Sequence, residues 1–327
     1  MNPAPLHWVR IAPPLAVAVW VTVIAIGLVI ATQAAGEPPV WDAMTYAQKA
    51  LNFWQAVDAG KPFNAFALPL TVRPPGTVLM SYPFGWSENY HWFYFRSSAI
   101  PMGLFIAAVY IAGWSRSLSR AGHWMLAALA IALAGIPILF QFQQNDELKA
   151  FYYWGLVDAF LASLAALATA AAVRSVASRS IGWAVVAALA GAFCFWVKPS
   201  GLLAMGLTGA VWLILVGFAW RQLNTDRRFI FISFASALAI FATAFVKGYF
   251  SPYFSLENIA FGVRNLAFFQ NEYRRPFDPV EFATILRGSF GYAATAAIVL
   301  GFIIAARLRA SAHLAAATLC FLAGCWF

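Results

Sequence analysis

Apolar positions run along this chain in long unbroken stretches separated by short polar breaks, not in the period-2 alternation or the one-sided stripe of a water-soluble element. Stretches long enough to cross a hydrocarbon layer, at about 20 residues each, lie at 13–32, 97–114, 124–140, 151–173, 181–197, 201–220, 229–247, 290–306 and 312–327. The pattern predicts an all-α polytopic transmembrane helix bundle of roughly nine spans, because in lipid each backbone polar group must be satisfied inside its own segment. The whole of 1–327 reads as a single transmembrane domain. Two connections are long, 33–96 and 248–289, and each is expected to carry a surface-lying helix. In the first, Trp41, Met44, Leu51 and Trp54 recur at helical spacing with Gln48, Asn52 and Gln55 opposite, the mark of an amphipathic helix lying on a membrane. In the second, the apolar stretch 259–269 reads as a further surface helix or a lid. The last apolar run stops at Trp326-Phe327 without an interfacial anchor, as expected of a chain that is cut short.

Composition removes the soluble alternatives. The chain is 62% hydrophobic and 10% charged, too few charges to dress a water-soluble surface. Its net charge of +9 would point to nucleic acid in a soluble protein. Counted from a cytoplasmic N-terminus, the cytoplasmic segments hold Arg10, Arg116, Arg120, Arg174, Arg179, Arg221, Arg227, Arg228, Arg307 and Arg309 against Asp226 alone. That excess equals the whole +9, so the charge reads as the positive-inside signal and no nucleic-acid partner is expected. The first apolar run exceeds a signal-peptide core and is expected to be retained. No internal repeat suggests the two inverted halves of a secondary transporter.

The chemistry-bearing residues gather on the expected outer side. Cys194, Cys320 and Cys325 lie in apolar stretches, as small packing residues do, and His7, His91, His123 and His313 have no ligand spacing. Asp42, at the start of the first-loop helix, suits either an N-cap or a general base whose pKa is tuned by Trp41 and Tyr46. Arg73-Pro74-Pro75-Gly76 presents a guanidinium on a stiff extended support near the headgroups, suited to a lipid or substrate phosphate. Tyr46 and Tyr82 are the aromatic candidates for substrate contact on the same loop. Before the fourth span, Asn145-Asp146-Glu147 reads as capping. Asp158 falls inside an apolar stretch about 24 Å from Arg174 at 1.5 Å per residue, and an intramembrane carboxylate is a functional candidate by default. Lys198, in Lys198-Pro199-Ser200-Gly201, suits interfacial anchoring or attraction of an anionic substrate. In the late loop Arg264, Arg274, Arg275 and Arg287 balance Glu257, Glu272, Asp278 and Glu281, so no general anion trap is expected there.

Taken together these motifs resemble the GT-C glycosyltransferases, in the branch of protein O-mannosyltransferases and lipid A aminoarabinose transferases. Asp42-Ala43-Met44-Thr45-Tyr46-Ala47 is similar to that branch's acidic motif after the first span, with Ala43 where the second acid stands. Arg73-Pro74-Pro75 is similar to its basic diproline element, and Val157-Asp158-Ala159-Phe160-Leu161 to its later aspartate motif. The resemblance covers residues 10–220. It implies a multi-pass enzyme of the inner (plasma) membrane that moves a sugar from a polyprenyl-phosphate donor to a lipid, glycan or protein acceptor on the outer face, with inversion. Asp42 would then be the catalytic carboxylate, Arg73 a donor-phosphate contact and Asp158 a second acid lining the site. No cofactor is implied beyond a divalent metal, which stays open. Two readings of other classes stand beside it: a transporter or lipid flippase lined by Asp158 and Lys198, and a noncatalytic membrane assembly subunit, to which Ala43 is the pointer.

Overall fold

A computed structural model describes residues 5–35, 41–65, 75–82, 85, 90–114, 118–134, 157–198, 201–223, 226–249 and 280. The apolar stretches 290–306 and 312–327, the proposed lid at 259–269 and the acidic pair Asp146-Glu147 lie outside them. Among the described residues the regular structure is helical throughout: α1 (Pro5–Ala35), α2 (Trp41–Asp58), α3 (Gly76–Ser81), α4 (Tyr90–Gly113), α5 (Arg120–Ala134), α6 (Asp158–Ser178), α7 (Ile181–Val197), α8 (Gly201–Leu223) and α9 (Arg227–Tyr249).

These helices are built inside out relative to a soluble bundle. On α1 the large aliphatic residues Ile11, Leu15, Val19, Val23, Ile26 and Ile30 follow one another at three- and four-residue steps and all stand exposed, a stripe facing away from the protein. Phe231, Phe234 and Leu238 do the same on α9. The interior is filled by small residues instead, with Ala168, Ala171 and Ala172 of α6 set against Ala184, Ala187 and Ala188 of α7. Small side chains let helix axes approach where lipid removes the hydrophobic drive between helices. An apolar exterior of this extent is stable in hydrocarbon and would aggregate in water. Three described helices, Ala159–Ser178, Gly201–Trp220 and Arg227–Phe245, are long and apolar enough to cross a membrane, with shorter apolar helices at Ile11–Ile24, Ala99–Gly113 and Ile181–Val197. The chain is a membrane protein.

Helices α6 and α7 form the centre. Helix α6 packs against α4 on one side and α7 and α8 on the other, while α7 also carries α9 and touches α3; α1, α4 and α5 pack on one another as a second group. At one end of the bundle the Arg174 guanidinium of α6 donates to the carbonyl of Trp114 after α4, across 3.2 Å. That bond holds the C-terminal ends of α4 and α6 at one level, so the two helices run parallel. Gly191 of α7 would set an added Cβ 3.5 Å from Phe241 of α9 and 3.7 Å from the Met205 backbone of α8, so its bare backbone allows both neighbours close approach.

Several boundaries shift. Helix α4 begins at Tyr90, inside the stretch assigned to the first loop, and α5 begins at Arg120. A backbone helix tolerates polar residues at its ends, where hydropathy alone stops counting.

Candidate functional site

The first long loop forms a cap over one end of the bundle. Helix α2 is present where periodicity predicts it, but the face it buries is a different one. Tyr46, Ala47, Lys49, Ala50 and Phe53 are buried, whereas Met44 is 56% exposed, on the side of Gln48, Asn52 and Gln55. Of the expected stripe, Met44 is exposed, Leu51 is half-buried and Trp54 packs against Phe53, while the fully buried positions run through Tyr46, Ala50 and Phe53 at the steps of four and three that a helix requires. Packing decides between the two: aromatic rings and alanines alternate on the buried face and fit against helix ends.

Tyr46 and Ala47 lie in one packed cluster with Met102 of α4, Ala134 of α5, Val157 and Phe160 at the start of α6, and Cys194 and Val197 at the end of α7. This cluster gathers α2, the beginning of α6 and the end of α7, the elements that carry Asp42, Asp158 and Lys198. Asp42 lies in the first turn of α2. Asp158 is the first residue of α6, with Val157 at its N-cap. Lys198 is the half-buried C-cap of α7; its N–H donates to the Cys194 carbonyl at 3.3 Å and its carbonyl accepts from the Gly201 N–H at 2.8 Å. Gly201 is required at that place, because a Cβ there would overlap the Cys194 carbonyl.

Helix α3 completes the cap. Gly76 lies so close to the end of α7 that a Cβ would come within 2.7 Å of the Val197 Cα and 2.8 Å of the Trp196 carbonyl oxygen. Arg73 lies outside the described residues.

An aromatic group binds α2 to α3. The Tyr82 ring stacks on Phe53 at 5.4 Å between centroids and meets Phe63 at 4.4 Å. Its hydroxyl accepts the Ala65 N–H at 2.9 Å. Burial pushes the Tyr82 hydroxyl up from its ordinary value, and the Ala65 hydrogen bond opposes that in part. Tyr46 is 2% exposed. Tyr46 is thus packed inside the cap, whereas Tyr82 is half-buried against Phe53 and Phe63.

Sequence reasoning passed over Lys49, which is 5% exposed on the inward face of α2. The signal was its spacing, three after Tyr46, on a helix whose Thr45, Gln48, Asn52 and Gln55 face outward. Among the described residues no group of three or more His, Cys, Asp or Glu gathers as a metal site. What the packing brings together at one end of the bundle is α2, the start of α6 and the end of α7. Compared with known proteins, the chain matches no family model, no curated protein and no solved structure.

Proposed function

We propose that this protein is a multi-pass glycosyltransferase of the inner (plasma) membrane, with roughly nine spans and a cytoplasmic N-terminus, that transfers a sugar from a polyprenyl-phosphate donor. The observation that carries the proposal is the single cluster joining Tyr46 of α2 to Val157 and Phe160 of α6 and to Cys194 and Val197 of α7, since it brings the segments bearing Asp42, Asp158 and Lys198 to one end of the bundle. A donor of this class keeps its hydrocarbon in the bilayer and its sugar phosphate at the edge, where these segments meet.

In this reading Asp42 takes the proton from an acceptor hydroxyl of a lipid, glycan or protein. The acceptor oxygen forms its bond to the anomeric carbon as the carbon–oxygen bond to the donor phosphate breaks, which inverts the centre. The leaving phosphate gains negative charge in the transition state, and Arg73 and Lys198 stabilise it. Asp158 lines the same site and orients the sugar. Tyr46 and Tyr82 hold α2 and α3 in register, as their packing against Phe53, Val157 and Val197 supports.

The test is Asp42→Asn in membranes supplied with a radiolabelled polyprenyl-phosphate sugar. Loss of labelled product, with the variant as thermally stable as the parent, is the expected result. Full transfer in that variant, or movement of the lipid between leaflets that depends on Asp158 and yields no product, would overturn the reading.

A further inference from the structure

Helices α8 and α9 both pack on α7 but scarcely on each other. The space between them is a groove of about 110 Å3, floored by Ala187 and Ala188 of α7 and walled by Trp212 of α8 and Phe234 and Phe241 of α9. A single water needs only roughly 10–15 Å3 by the same measure, and a cavity lined by carbon stays dry and takes apolar ligands. Of the polar side chains in the lining, Thr208 and Trp212 are already hydrogen-bonded to the Ala204 carbonyl and to Ser175. Ser233 is 1% exposed, and its hydroxyl has no hydrogen-bond partner. Its counterparts behave otherwise: Ser163, Ser175 and Thr208 each donate to a carbonyl of their own helix, at 2.8 Å. A buried hydroxyl left unpaired in an apolar setting costs free energy unless a ligand supplies an acceptor.

The groove lies toward the end of the bundle where the α6–α7 turn and the start of α9 meet. That rim carries Arg179, Arg227 and Arg228, all exposed, and the acid Asp226, whose carboxylate accepts the Phe229 N–H at 3.2 Å. Arg228 precedes Ser233 by five residues, about 8 Å along the helix axis. An anionic diacyl phospholipid has this order of parts: a phosphate at the rim, an ester carbonyl a few ångströms deeper, and a hydrocarbon chain beyond.

We infer that the α8–α9 groove is a binding site for one anionic glycerophospholipid, its phosphate at the arginine rim, an ester carbonyl accepting the Ser233 hydroxyl, and an acyl chain lying on the Ala187–Ala188 floor. The site is separate from the cap over the other end of α6 and α7, and the inference does not depend on the glycosyltransferase reading.

The full chain in detergent is titrated with dioleoyl phosphatidylglycerol, dioleoyl phosphatidylcholine or inorganic phosphate, while lipid retention is read by native mass spectrometry and stability by thermal unfolding. Phosphatidylglycerol is expected to be retained at one copy and to raise the unfolding midpoint, with phosphatidylcholine and inorganic phosphate giving little. Ser233→Ala should weaken phosphatidylglycerol binding roughly tenfold, as loss of one hydrogen bond in a dry site does, without lowering the midpoint of the lipid-free protein. Arg227→Gln with Arg228→Gln should erase the preference for the anionic lipid, and Ala188→Leu should block the chain. Equal retention of the two lipids, an unchanged affinity in Ser233→Ala, or an equal response to inorganic phosphate would each overturn the proposal. Because Ser233→Ala removes one oxygen and adds no bulk, it keeps the test decisive if Ala188→Leu fails to fold.

Discussion

The indole N–H of Trp54 donates to the hydroxyl of Ser81 across 2.9 Å, and that hydroxyl in turn donates to the Val78 carbonyl at 2.6 Å. These two bonds link α2 to α3 through Ser81, which is 1% exposed. Ser81→Ala strands the indole donor and should lower stability by about 1–3 kcal/mol, seen as an earlier thermal unfolding midpoint in detergent. Trp54→Phe should cost a similar amount. The double variant should cost less than the sum, since one bond cannot be lost twice.

Gly76→Ala tests whether the cap is seated by backbone contact. The new Cβ would meet the Val197 Cα at 2.7 Å and the Trp196 carbonyl at 2.8 Å, and neither atom belongs to a side chain that can swing away. Helix α3 must lift from α7, at a cost of about 1–3 kcal/mol. Protease sensitivity within the first loop should rise, and under the proposed function donor turnover should fall with it. A variant as resistant and as active as the parent would show that α3 does not need this contact.

Alkaline pH should loosen the cap through Tyr82. Its hydroxyl is held above the ordinary value near 10 by burial, so between that value and its folded-state value the unfolded chain ionises while the folded chain does not. The unfolded state then binds fewer protons, and stability falls as pH rises past about 10. Below that pH the contribution is fully present. Tyr82→Phe, which cannot ionise, should show a shallower loss of midpoint across the same alkaline range when the two proteins are scanned side by side.

Lys198 tests the proposed phosphate contact. Lys198→Ala should reduce kcat/KM for the lipid-phosphate donor by about tenfold or more, short of the roughly 100- to 1,000-fold typical of a fully enclosed transition-state donor because this residue is half-buried. Lys198→Arg should restore most of the loss. An alanine variant with unchanged kinetics would remove Lys198 from the mechanism.

Much of the architecture is legible in the chain because a membrane helix is a one-dimensional object: its length, apolarity and polar breaks are local properties. Helices α8 and α9 fall within a few residues of the stretches 201–220 and 229–247. The existence of α2 was equally legible. Its buried face was not, since Met44 and Phe53 are both apolar and only the end of the bundle decides that Phe53 goes inside. Lys49 escaped for the same reason, as a basic residue on an amphipathic helix reads as solvated until a partner surface is known.

The amino-acid sequence by itself determined that this is an apolar all-helical membrane chain and which carboxylates and cations stand near helix ends, because hydropathy and spacing act within each segment. The tertiary structure alone decided which ends meet. Gly76 against Val197, Tyr46 against Val157 and Cys194, and the gap between α8 and α9 arise from contacts between residues far apart in sequence. Their geometry is set by how small residues let helices approach, and no single segment encodes it.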